Sequence, residues 1–260
     1  MALRWLTKQQ MVEKLLEVQA MEWIKNIRPK NSGGIGNTID ALLGLSENNL
    51  PIADTAQWEL KSHRIGSQSL LTLFHMEPEP RTAKIVTNLL LPSYGWADQA
   101  GRPNEISFRQ TLRATVPTDR GFSILIDRSS ERLLVVFDSN KVQSRHTLWL
   151  KQVEQKVGLG PLNPQPFWKF QDLFLKASTK MLNSFYVEVE TKRITGEEHF
   201  RIEKIMILQG FELDRFLITI ENGGGLVDFD ARTHHNHGTK LRLRQDVFPN
   251  LYRYVDQVSP

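Results

Sequence analysis

An Asp, a Glu and a Lys fall within eight residues of the segment DTAQWELKSHR, from Asp54 to Arg64. In a strand, side chains two apart share a face, so Glu59 and Lys61 point together while Leu60 points the other way. Leu60 can then enter a core while the polar pair looks outward. Asp54 lies just upstream at the end of a turn, where a short bend brings its carboxylate to the same place. Carboxylate oxygens suit Mg²⁺, which keeps several waters and bridges to phosphate. The Lys61 ammonium can orient an attacking water and offset charge growing on phosphorus. Strands that merely face solvent also carry this Glu-x-Lys spacing, so the flanking segments have to decide between the two readings.

Upstream, GGIGNTID places Asp40 on a short helix after a glycine-rich turn. No Gly-Lys-Ser/Thr follows, so these glycines are no phosphate-cradling loop. They are expected to let the backbone approach a bound partner closely or turn tightly into the helix. Downstream, SLLTLFH ends on His75, and His63 and Arg64 continue the strand of Glu59 and Lys61. Late in the chain, HHNHG offers His234, His235 and His237. Histidines can bind zinc, but nothing at a recognisable spacing completes such a site. In KLRLR, alternation puts Lys240, Arg242 and Arg244 on one face, suited to phosphate or guanine contacts. A solvated edge strand would carry the same residues to discourage aggregation. Arg81, Lys84, Arg102, Arg109 and Arg113 add scattered positive charge.

The chain has 260 residues, 40% hydrophobic and 24% charged, which is ordinary for a globular protein. It contains no cysteine, which excludes disulfides, thiolate catalysis and cysteine zinc sites and fits a cytoplasmic location. No apolar run reaches membrane-spanning length and the start shows no signal peptide, so no membrane partner is expected. A net charge of +4 and a pI near 9.3 suit a polyanionic partner.

The elements that must position these residues follow from periodicity. A helix capped by Thr7 is expected through Ile27, and a shorter one over Asn37–Leu43. QWELKSHR and SLLTLF read as neighbouring strands joined through RIGSQ, and residues 81–91 as a helix. Pro92 to Asn104 reads as a loop long enough to be functional. FSILIDR and RLLVVFD form a hairpin, and TLWLKQVEQKVG a helix closed by Gly158. SFYVEVETKR and HFRIEKIMIL are strands flanking Thr195-Gly196-Glu197. A helix over residues 212–221 stops at Asn222-Gly223-Gly224-Gly225. LVDFDA and TKLRLR are strands, and QDVFPNLYRYV a closing helix. The fold class is α/β, a mixed central sheet flanked by helices.

The ordered segments KNSGGIGNTIDALLGLSENN, ADTAQWELKSHR, SQSLLTLFH and HHNHGTKLRLR resemble the MvaI/BcnI-type restriction endonucleases, in the MutH-like branch of the PD-(D/E)xK nucleases. That resemblance implies a restriction-endonuclease-like fold in two lobes forming a DNA-binding cleft: a catalytic lobe over about residues 1–90, and the remaining core with a recognition lobe over about 91–260. It implies metal binding by Asp54 and Glu59, catalysis by Lys61, and Asp40 where the family usually carries Glu. Ala53 stands where the family carries Pro. His75, His235 and His237 become candidate DNA contacts, beside Lys240, Arg242, His63 and Arg64. The implied activity is Mg²⁺-dependent cleavage of double-stranded DNA at a short site, with Mn²⁺ able to substitute, leaving 5′-phosphate and 3′-hydroxyl ends. The enzyme is expected to act as a monomer in a prokaryotic cytoplasm, with a cognate DNA methyltransferase in the host. The alternatives are a MutH-like nicking enzyme of mismatch repair and a catalytically silent DNA-binding module.

Overall fold

The computed structural model describes residues 6–29, 31, 33–45, 58–98 and 104–259. Asp54, Ala53 and Arg102, and most of the turn before Asp54, lie outside the described residues. In chain order the first half runs α1 (Lys8–Gln19), β1 (Ile24–Lys25), α2 (Gly34–Leu43), β2 (Glu59–Arg64), β3 (Leu70–His75), α3 (Leu91–Tyr94), β4 (Trp96–Ala97), β5 (Ile106–Leu112), β6 (Arg120–Asp127) and β7 (Arg132–Val142). The second half runs α4 (Thr147–Val157), β8 (Phe167–Lys169), α5 (Phe170–Met181), β9 (Asn183–Ile194), β10 (Glu197–Phe211), α6 (Leu213–Glu221), β11 (Gly225–Arg232), β12 (His235–Asn236), β13 (Lys240–Arg244) and β14 (Tyr252–Val258). The fold is a mixed α/β one, with sheets flanked by helices. Contacts divide it into unit 1 (Met1–Ser69, Leu175–Glu212, Pro249–Pro260) and unit 2 (Leu70–Phe174, Leu213–Phe248).

Unit 1 is built on the strand order β1-β10-β9-β2, with β14 also pairing β10. β9 and β10 form a long hairpin whose turn residues Thr195 and Gly196 both have positive φ, at 50° and 85°. That backbone twist matches the twist of the flanking strands. β2 joins the far side of β9 in parallel, with Leu60 beside Phe185. Leu60, Phe185, Val187 and Ile205 pack against Met11, Leu15, Ile35 and Ile39, so α1 and α2 cover the face to which Leu60 points.

α1 begins at a reciprocal cap between Thr7 and Gln10, but ends at Gln19 instead of continuing to Ile27. Glu22 takes a left-handed conformation (φ 56°), and the chain then pairs Ile24 with Phe200 as β1. The backbone needs of β10 thus override a helical pattern. α2 starts at Gly34, a turn earlier than the periodicity suggests. Its first turn is fixed by buried Asn26, which donates to Glu198 and accepts from the Arg28 amide (2.9 Å) and the Thr38 hydroxyl (3.2 Å). Arg64 reaches the same Glu198 carboxylate at 3.2 Å, tying the end of β2 to the start of α2.

Unit 2 holds a sheet in the order β3-β13-β11-β5-β4, with β12 on β11, and a second sheet β6-β7-β8. Phe108, Phe122, Phe137 and Phe229 form its aromatic centre, with ring centroids 5.0–5.4 Å apart along the chain of contacts. The hairpin of β6 and β7 and the Gly158 stop of α4 (φ 76°) follow the sequence reading. Other elements do not. β2 and β3 form no hairpin: β2 pairs β9 and β3 pairs β13. Residues 81–94 are helical only in short pieces, a 3-10 turn, a π turn and one α turn around Pro92. The expected closing helix is a 3-10 segment over Gln245–Leu251 followed by a strand, because β14 finds backbone partners along β10.

Gly34 sits where a Cβ would lie 2.1 Å from the Arg28 carbonyl oxygen. Gly34→Ala must push two backbone segments apart, and overpacking of this kind costs about 1–3 kcal/mol. The expected result is a lower urea midpoint at unchanged m-value. Wild-type stability would show that this contact does not hold α2.

Candidate active site

β2 lies in parallel register with β9, pairing Glu59 with Ser184, Lys61 with Tyr186 and His63 with Glu188. These six side chains share one face, and Leu60 and Ser62 take the other. The alternation read from the sequence is therefore realised, with Leu60 in the core. Glu59 is 1% exposed. A carboxylate so far from water requires cations or donors at its oxygens. Lys61 donates to Glu59 Oε1, and Lys180, from α5, lies 3.5 Å from the same oxygen.

Behind this pair, the Tyr252 hydroxyl and Ser184 Oγ are 2.7 Å apart. Burial raises the Tyr252 pKa, the Ser184 hydrogen bond offsets part of this, and the Glu59 charge adds to the rise. Tyr252 is thus held as a neutral hydroxyl. His63 continues the same face: its ring stacks on Tyr186 at 5.9 Å and 19°, and Nδ1 is 3.9 Å from Glu188 Oε1. Arg64 points to the opposite face and pairs with Glu198. Asp40 is half-buried on α2, the helix that packs on the Leu60 side of β2.

The second group of candidates belongs to unit 2. Lys240 pairs across the strands with Asp228, and Asp230 with Arg109. Lys240 Nζ is 3.1 Å from Asp230, Arg109 Nε is 2.8 Å from Asp230, and Arg242 is 3.1 Å from Asp228. The basic strand face is therefore a ladder of alternating charge. Thr111 extends it with a 2.9 Å hydrogen bond to Asp228. Burial works to raise the Asp230 pKa, but the hydrogen bonds and charges of Lys240 and Arg109 outweigh it and hold the carboxyl below its usual range.

His75 sits opposite Lys240 in register. His235 and His237 are both exposed, with rings 4.0 Å apart and nearly perpendicular. Their hairpin is seated on Glu77, which accepts from the Thr239 amide at 3.0 Å and the Thr239 hydroxyl at 3.1 Å.

The family model of the MvaI/BcnI restriction endonucleases matches residues 12–252. The chain belongs to the MvaI/BcnI restriction endonuclease family. Its fold is similar to that of restriction endonuclease MvaI solved as a complex with cognate DNA substrate. There the TM-score is 0.75 at 22% identity, covering 98% of this chain and 100% of that one. MvaI solved in the absence of DNA gives a TM-score of 0.57 at 20% identity, covering 97% and 100%. No curated protein matches the chain in a sequence search. Among the described residues, no helix is long and apolar enough to cross a membrane.

Membership makes this chain a site-specific nuclease, and three of its site features escaped the sequence reading. Lys180 lies on α5, a helix that sequence reasoning passed over, and 119 positions separate it from Lys61. Asp228 and Asp230 were visible as alternate acidic positions in LVDFDAR, but their pairing with Lys240 and Arg242 depends on strand register. Glu77 follows TLFH by two residues and carries no motif.

The depressed Asp230 pKa has a consequence for acid stability. The group favours the folded state above the unfolded-chain value, about 3.9, and that contribution vanishes as pH falls through the lower folded value. Asp230→Asn is expected to lower stability at pH 7 and flatten the decline below about pH 4. Urea melts across that window check it, and an acid limb that superimposes on wild type would contradict it.

Proposed function

We propose that the chain is a type II restriction endonuclease that hydrolyses phosphodiester bonds of double-stranded DNA at a short specific sequence. The observation that carries this reading is the buried Glu59 carboxylate held by Lys61 on one strand face, in a member of a restriction endonuclease family.

Glu59 offers the carboxylate oxygen that a hard cation takes, and the chain has no thiolate to favour a softer one. Asp54 and Glu59 would hold Mg²⁺, or Mn²⁺ in its place, while Asp40, on the Leu60 side of β2, would stand apart from that ligand pair. Bound there, the ion supplies Lewis-acid polarisation of the scissile phosphate and a more acidic water. Lys61, held by Glu59, would hydrogen-bond an attacking water and offset charge on the phosphoryl oxygens. Lys180 adds positive charge on the same side. The water oxygen bonds to phosphorus as the bond to the 3′ oxygen breaks and that oxygen takes up a proton. The ends are a 5′-phosphate and a 3′-hydroxyl.

Unit 2 would read the duplex through His75, His235, His237, Lys240 and Arg242, with His63 and Arg64 flanking the chemistry. The reading further holds that the enzyme works as a monomer in a prokaryotic cytoplasm, beside a methyltransferase that protects host sites.

Supercoiled plasmid incubated with Mg²⁺ tests the proposal directly. Wild type should linearise it at defined positions without a partner protein, and Lys61→Ala should cut at least about 100-fold more slowly. Nicking that depends on an added partner would point to a repair enzyme, and salt-sensitive binding without cleavage to a binding module. Equal cutting by wild type and Lys61→Ala would remove Lys61 from the chemistry.

A further inference from the structure

A hollow of about 480 Å³ in unit 2 is lined by Arg109, Gln110, Asp119, Arg120, Arg145 and His146, together with Trp96. The charge within it is unbalanced. The single carboxylate of Asp119 serves Arg145 at 2.9 Å, His146 at 2.6 Å and Arg120 at 3.7 Å. Burial lowers the Arg120 pKa, and the nearby Arg145 charge lowers it further against the pull of Asp119. Arg120 is thus an under-compensated cation.

Its placement is built into the fold. Gly121 has φ 77°, and the β6–β7 register slips between Arg120 and Phe122. A bulge of this kind re-aims the neighbouring side chain. Here the Arg120 guanidinium lies over Trp96, 4.0 Å from the ring centroid, and within 5.5 Å of the Trp149 ring centroid. Arg120 Nε and Gln110 Nε2 are buried with no hydrogen-bond partner among the described residues. Buried donors left unpaired are costly and uncommon in native structures, so this corner carries donor capacity that the described residues do not use.

We propose that this hollow is a binding site for a phosphate-class anion, and that its occupant during catalysis is a backbone phosphate of the DNA duplex. The cationic donors select an anion. Arg120 occupies one face of the Trp96 ring, so no base can stack on that face. Arg109 lines the hollow and also belongs to the Asp230–Lys240 strand face, so the hollow borders the surface proposed to read DNA. The assignment of the occupant rests on that proposed reading.

Arg145 is the informative position because its side chain is 66% exposed and can be removed without opening the core. Full-length wild type, Arg145→Ala and Arg120→Gln would be titrated onto a mixed-sequence duplex over a range of salt concentrations. Arg201→Ala serves as the control, since it removes an equal charge that is paired on the unit 1 surface with Glu190 and Glu203. A phosphate contact contributes a slope of about −0.9 in log affinity against log salt. Arg145→Ala is expected to bind several-fold more weakly on any sequence and to lose about one unit of that slope. The control should keep the wild-type slope.

Titration with inorganic phosphate, followed by calorimetry, separates the sources of the anion. Phosphate binding that Arg145→Ala abolishes, without a change in DNA slope, would assign the hollow to a free anion and overturn the DNA occupant. No phosphate binding and an unchanged slope would overturn the site altogether. A wild type that binds no DNA would defeat the restriction reading instead, leaving the phosphate titration to decide the hollow by itself.

Discussion

Taking the Glu59 carboxylate out of water carries a desolvation cost that an apolar interior cannot repay, so the groups around it are constrained by that one burial. Lys61 must share its strand face, Lys180 must arrive from α5, and the Ser184–Tyr252 pair must close the interior side. The partners come from β2 itself, from the junction of α5 and β9, and from the start of β14. The parallel pairing of β2 with β9 sets Glu59 beside Ser184, and slipping β2 by one residue would send Glu59 into the hydrocarbon and Leu60 out. The apolar contacts of Leu60 with α1 and α2 therefore do more than stabilise unit 1. They fix the register on which the polar face depends.

Unit 2 solves a related electrostatic problem differently. Its cations were conspicuous in the sequence as free positive charge, yet Lys240, Arg242 and Arg109 are each matched by Asp228 or Asp230. A ladder of that kind holds donors and acceptors at fixed positions but contributes little net field. It suits discrimination among base edges better than general attraction to a polyanion. Long-range attraction must then come from charge that is not matched locally, and the Arg120–Arg145 pair around one Asp119 is such a place. On the proposed reading, affinity and discrimination are carried by different parts of one unit.

What was legible in the sequence was local. Alternation in ELKSHR, the Thr195-Gly196 turn and the Gly158 stop each report on a few neighbouring residues, and each is realised. The errors arose where distant partners decided the outcome. MEWIKNI has helical spacing, but β10 recruits Ile24 into a strand; QDVFPNLYRYV looks helical, but β10 again supplies backbone partners to Tyr252–Val258. Lys180 could not be found by spacing, because no periodicity links a helix to a strand 119 residues earlier.

The glycines of GGIG lead the chain tightly into α2, one of the two roles their sequence offered. Two of them also let protein approach protein. A Cβ at Gly34 would meet the Arg28 carbonyl at 2.1 Å, and one at Gly36 would stand 3.3 Å from Ser62 Oγ. Ser62 is on the same face of β2 as Leu60 and Arg64, opposite Glu59, Lys61 and His63. ELKSHR is thus two interleaved sets: one faces the candidate chemistry, and the other locks β2 to the core, to α2 and, through Arg64, to Glu198. Small residues on α2 allow the helix to lie close to that second set. The glycine-rich turn upstream of Glu-Leu-Lys accordingly serves the site by holding the strand that carries it.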